Sequence, residues 1–300
     1  MLRKAFLSLA LIGGLSLHAS VLSDNIKKEF SEKLGDSLPD NVSVSKIEIV
    51  SESNIDDSFS LPEWKMVHVR YMLSEDNGET RVGLEKVITN GEHIILDVIG
   101  LDGGVSLKNS SSFAFDSRDY LPELRLLGNG KSSDKLIVFS DPECPACKSI
   151  LPKLLDIVTT KKNLDFYYID NPLRQIHPTS PILSTLIVAS KADKVSLLKA
   201  VYEAGDRFNA FNERIKSIKD RADGEQVLRD FIISYNALVK KKVDPDFKDI
   251  TYESLPEESN KLKKSVALSL QYKINGTPSF YLNGTEVYPS ELFSALKKIK

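Results

Sequence analysis

The chain has 300 residues, 41% of them hydrophobic, and a formal net charge of −2. This composition can bury a core and excludes a disordered chain, while 40 basic against 42 acidic residues leave no nucleic-acid footprint. At roughly 100–200 residues per domain the length suggests two domains.

Residues 1–20 read as an export leader. Arg3 and Lys4 precede an apolar stretch from Ala5 to Leu17, and Ala19 stands where a signal peptidase would cut. The stretch is shorter than the roughly 20 apolar residues a spanning helix needs. The mature chain is therefore expected to be exported and to begin near Ser20 or Val21, and no cysteine near the cut suggests a lipid anchor.

Residues 21–112 are expected to form a small α+β domain. Ile26, Phe30 and Leu34 recur at helical spacing from Asp24 onward, and strand-like runs follow at Val42 to Val50, Lys65 to Leu73, Thr80 to Thr89 and His93 to Ile99. Asn77-Gly78 supplies a tight turn between the second and third runs. Trp64 and the strands near it suit either a core or a dimer interface. Leu101 to Ser112, rich in Gly and Ser, reads as a linker. Ser117 to Leu127 is expected to be a linker helix within residues 113–130, capped by Asp116 and ended by Gly128-Asn129-Gly130.

Residues 131–300 hold the chemistry. Leu136 to Phe139 is a continuous apolar run, as expected of a strand buried on both faces. A helix follows from Cys144 to about Thr159, then a strand from Leu164 to Ile169. Residues 179–272 are mostly helical, with breaks near Gly205, Gly224 and Asp244 to Pro256. Ser279 to Leu282, Asn283-Gly284 and Thr285 to Tyr288 form a hairpin, and a last helix starts at Ser290 as its cap.

The chain has two cysteines, in Cys144-Pro145-Ala146-Cys147. A disulfide between them closes almost no loop, so it staples little. Zinc would require further Cys or His ligands, and the four histidines are scattered; haem attachment would require His after Cys147, where Lys148 stands. Redox chemistry remains, with no metal or separate cofactor: the working group is the Cys144–Cys147 pair itself. Pro145 suits the first helical position, which puts Cys144 at a helix N-terminus where N–H groups stabilise a thiolate. Cys144 is thus the expected nucleophile and Cys147, one turn in, the resolving thiol. His177 is a candidate proton shuttle, although a packed loop histidine is the commoner case; Glu143 and Lys148 are expected to be solvated charges.

The segment Phe139-Ser140-Asp141-Pro142-Glu143-Cys144-Pro145-Ala146-Cys147-Lys148 resembles the active-site segment of the thioredoxin superfamily, most closely the periplasmic DsbC/DsbG disulfide isomerases. Pro152 matches that superfamily's helix proline, and Ile274-Asn275-Gly276-Thr277-Pro278 looks like its second signature. The resemblance implies a cis Thr277-Pro278 bond beside the dithiol, with Thr277 and Pro278 binding an extended substrate by strand addition.

It further implies a thioredoxin-like catalytic domain with a helical insert, preceded by a small domain of dimerisation type. Val138 stands where thioredoxin and the oxidase DsbA keep a buried acid, and Ala146 cannot help a thiolate as a histidine would. The implied activity is that of a thiol–disulfide oxidoreductase, an isomerase or reductase first and a dithiol oxidase second, with a chaperone carrying a secondary dithiol as the alternative from another class. Its partners would be exported cysteine-containing proteins, a membrane redox protein and a second copy of the chain.

Overall fold

The computed structural model describes residues 24, 26–36, 38–55, 61, 63–95, 107, 113, 115–255 and 259–299. The leader and nearly all of the linker at 101–112 lie outside the described residues. The chain divides into two compact units, residues 1–114 and 115–300.

In the first unit a helix over residues 26–35 (α1) precedes strands β1 (Val42–Asn54), β2 (Lys65–Glu75), β3 (Thr80–Thr89) and β4 (Ile94–Ile95). The four strands form an antiparallel sheet in sequence order. Alternation along β2 sorts its side chains between the two faces. Val67 and Val69 join Val87 beneath Ile26 and Phe30 of α1. On the other face Met66 and Ile88 cluster with Ile55 and Leu107, and Trp64 packs half-buried against them. The β2–β3 turn runs through Gly78 at φ +84°, a conformation that glycine adopts without steric cost.

The second unit is built on a five-stranded sheet ordered β5-β7-β6-β8-β9. Its strands are β5 (Arg125–Leu127), β6 (Asp134–Ser140), β7 (Leu164–Asp170), β8 (Ser279–Leu282) and β9 (Thr285–Val287). Strand β6 lies at the centre, parallel to β7 and antiparallel to β8, and is fully buried from Leu136 to Ser140. That burial explains its unbroken apolar run. Between β6 and β7 runs α2 (Pro145–Val158), which contains Pro152 and buries Cys147, Leu151, Leu154, Leu155 and Val158.

The insert folds as α3 (Ser180–Ala189), α4 (Lys194–Glu203), α5 (Asn209–Lys216), α6 (Arg221–Lys242) and α7 (Asn260–Gln271). A last helix, α8 (Pro289–Leu296), buries Leu292 and Leu296 in the same core as α2.

Three local expectations differ from the structure. No linker helix forms at Ser117 to Leu127. Two 3-10 turns, Ser117–Asp119 and Pro122–Leu124, lead directly into β5, because Pro122 has no N–H to continue a helix. Packing against the C-terminal end of α7 holds this segment: Phe115 stacks on Tyr272 with ring centroids 4.3 Å apart, and buried Asp119 accepts hydrogen bonds from Tyr272 Oη at 2.6 Å and Gln271 Nε2 at 2.7 Å. Gly224 does not break the insert but lies inside α6; the break falls earlier, where Asp220 caps α6 by accepting from the Asp223 N–H. The last helix is entered through Tyr288 with Pro289 at its first position, so Ser290 is already helical and is not its cap.

Candidate active site

The site lies where β6 ends and α2 begins. Cys144 is the N-cap of α2, with Pro145 at the first helical position; Pro145 and Ala146 are exposed, whereas Cys147 is sealed inside. Cys144 retains 7% exposure and Cys147 none. Both cysteines are free thiols here.

The two sulfurs are driven apart chemically. Cys144 is lowered to about 5, chiefly because the Cys147 thiol donates a hydrogen bond to its sulfur. Burial opposes this; Thr277 and the N–H groups of Cys147 and Ala146 at the helix start add to it. Cys147 is pushed up by burial and by that same hydrogen bond to Cys144, so it stays protonated while Cys144 is a thiolate. A low-pKa sulfur with residual exposure beside a buried protonated one is the division of labour that stepwise disulfide exchange needs.

The Thr277-Pro278 bond is cis. It brings the Thr277 carbonyl within 3.2 Å of Cys144 Sγ, which donates to it in the thiol form. Hence Thr277, 133 residues from Cys144 in sequence, meets the dithiol.

The surroundings include groups that sequence reasoning misjudged. Glu143 is a buried residue, not a solvated charge: it is 2% exposed and accepts a hydrogen bond from Thr179 Oγ1. Its carboxyl is pushed up, by burial first, with Thr179, Lys148 and His177 pulling it back. The side chain of Lys148 is also mostly covered, with Nζ 3.4 Å from Asn209 Oδ1. His177 does not reach a sulfur in any hydrogen bond of the described residues; its Nδ1 lies 3.0 Å from Asp141 Oδ2.

Asp141, which the sequence reading passed over, organises the loop. Fully buried, it accepts from the Glu143 N–H at 2.7 Å, the Leu173 N–H at 2.8 Å and Ser180 Oγ at 2.6 Å besides His177. Its signal was available: an Asp followed by Pro, directly after a buried strand, favours a side-chain-to-backbone turn.

Among the described residues, no cluster of three or more His, Cys, Asp or Glu could hold a metal.

The thioredoxin family model matches residues 121–299, more than half of the chain and all of this site. The chain belongs to the thioredoxin family. With two thiols so divided at the start of α2, it is a thiol–disulfide oxidoreductase. Over 199 residues it is 24% identical to a Bacillus cereus protein named "Probable disulfide bond formation protein D", the match covering 64% of this chain and 81% of that protein. A Bacillus anthracis protein of the same name is equally similar. Among solved structures, BdbD from Bacillus subtilis is 17% identical, with 63% of this chain and 96% of that chain covered, at a TM-score of 0.36. ScsC of Proteus mirabilis is 22% identical, with 57% and 70% covered, at a TM-score of 0.32.

Proposed function

We propose that this oxidoreductase works in the periplasm after loss of residues 1–20, and that it passes a Cys144–Cys147 disulfide to cysteines of exported proteins. The observation that carries this reading is the depressed Cys144 thiol beside the raised Cys147 thiol. A stabilised thiolate favours the reduced form, so the disulfide is given up readily. In the reaction a substrate thiolate attacks Cys144 Sγ, the Cys144–Cys147 bond breaks, and Cys147 departs and takes a proton. A second substrate thiolate then attacks the mixed disulfide and releases reduced Cys144. The two electrons taken from the substrate pass on to a membrane redox partner. Thr277 and Pro278 would hold the substrate backbone by strand addition beside Cys144. The name of the Bacillus relatives supports this direction of flow.

The isomerase or reductase reading has its own support in the leading unit. An added sheet unit of this kind would pair two copies under that reading, and paired sites help to hold a misfolded chain; its cluster of Ile55, Met66, Ile88 and Leu107 is itself buried within one chain. The same sulfurs would then start from the reduced state. A chaperone with a secondary dithiol predicts that the Cys144→Ser, Cys147→Ser double variant still suppresses aggregation; the oxidoreductase reading predicts that this variant loses all activity.

The deciding experiment is alkylation of the exported protein in cells under native conditions. A disulfide donor is found mostly oxidised. A mostly reduced pool would overturn the donor reading in favour of the isomerase.

A further inference from the structure

Resolution by Cys147 needs somewhere for its proton to go, and the residue six before Cys144 is the apolar Val138. The face of the sheet that carries Cys147 nevertheless holds an acid one strand away. The parallel register pairs Val138 with Tyr168 and Ser140 with Asp170, so all four side chains share the face covered by α2 and α4. Asp170 is 1% exposed, and its Oδ1 has no hydrogen-bond partner.

On the same face a run of buried hydroxyls starts at the Cys147 sulfur and ends at Tyr168, two residues before Asp170 on β7. Ser140 Oγ hydrogen-bonds Cys147, and it lies 2.7 Å from Tyr202 Oη, which lies 2.8 Å from Tyr168 Oη. Ser140 and Tyr168 stand on the two central strands and Tyr202 on α4. Both tyrosines are held neutral by burial and can therefore pass a proton without becoming ions.

We propose that Asp170 is the proton acceptor for Cys147, acting through the Ser140, Tyr202 and Tyr168 hydroxyls. This rests on Cys144 attacking and Cys147 resolving. When a mixed disulfide on Cys144 is resolved in the reducing direction, the Cys147 S–H bond breaks and its proton enters the hydroxyl run. The Cys147 sulfur forms a bond to Cys144, the Cys144–substrate bond breaks, and the substrate leaves as a thiolate. In the donating direction the same path returns a proton to departing Cys147. Burial raises Asp170 to about 6, while Ser184, Lys261 of α7 and Lys194 of α4 hold it partly down; Asp141 opposes them, and the Tyr168 and Tyr202 hydroxyls feel its charge in turn. Asp170 is then ionised and able to accept above about pH 6.

The test forms the Cys144 mixed disulfide with a small aromatic disulfide in the full chain and follows the rate of its resolution by Cys147 from pH 4.5 to 8. The wild type should show an inflection near pH 6. Asp170→Asn should lose the inflection and resolve at least tenfold more slowly at pH 7, with the rate of Cys144 alkylation within twofold of wild type. Ser140→Ala and Tyr202→Phe should fall between the two. An Asp170→Asn protein that keeps the inflection and the rate overturns the proposal. So does one in which alkylation and thermal stability fall along with resolution, because Asp170 would then be only a structural residue. A mixed disulfide that forms on Cys147 instead would show that the roles of the cysteines were misassigned, which is a separate failure.

Discussion

Cys147→Ser should accumulate mixed disulfides with exported proteins, at least tenfold above wild type, whereas Cys144→Ser should trap almost none. The reason is positional. Cys144 caps α2 and keeps some exposure, so a substrate sulfur can reach it; Cys147 is enclosed, so its one accessible partner is Cys144. Removing Cys147 takes away the intramolecular exit from the intermediate, while removing Cys144 takes away the only entrance. Serine is close in size to cysteine, so neither change should unfold the chain. The traps are read on non-reducing gels after acid quenching, with the adducts located by mass spectrometry. Abundant adducts on Cys147 in the Cys144→Ser protein would reverse the two roles.

The alkylation rate of reduced Cys144 should reach half its plateau near pH 5 and be flat above about pH 6.5. An ordinary thiol with a pKa of about 8.5 would still rise roughly tenfold per pH unit across this range. At pH 5 Cys144 would thus hold half its maximal rate, where an ordinary thiol has about 0.03% of its own. The same shift fixes the sign of a stability effect. A thiol whose folded value lies below its unfolded one stabilises the fold fully above the unfolded pKa and loses that contribution as pH falls through the folded one. The reduced wild type should therefore gain stability over Cys144→Ser as pH rises from 5 to about 8.5, and the two should converge near pH 5. Iodoacetamide kinetics and urea midpoints on the same preparations read both effects.

The dithiol and the central strand were legible in the sequence because each depends on local chemistry, and the second signature was legible through its resemblance to the family's. Pro145 at a helix start and a four-residue apolar run can each be recognised from a few neighbours. The remainder depends on long-range packing. Nothing around Glu143 announces that Thr179, 36 residues on, would cover it, and the sequence position of Tyr202 inside an insert gives no hint that its hydroxyl meets Ser140. The linker-helix expectation failed for a local reason that was available, Pro122 in mid-segment, and for one that was not: Phe115 and Asp119 find their partners in Tyr272 and Gln271 about 150 residues away. Asp170 illustrates the same limit, since only the register of β6 against β7 reveals that an acid shares the face of Cys147.

The central claim is that Cys144 and Cys147 form one reversible redox couple that the fold makes readily reducible. The most direct measurement equilibrates the purified mature chain with glutathione buffers of graded poise, quenches with acid, and weighs the peptide Leu136–Lys148, which contains both sulfurs. The account predicts a two-hydrogen loss within that single peptide, with a midpoint between the roughly −270 mV of thioredoxin and the roughly −120 mV of DsbA, as suits a nucleophile near pH 5. A pair that stays reduced across that range, or that oxidises only by linking two chains, would contradict it.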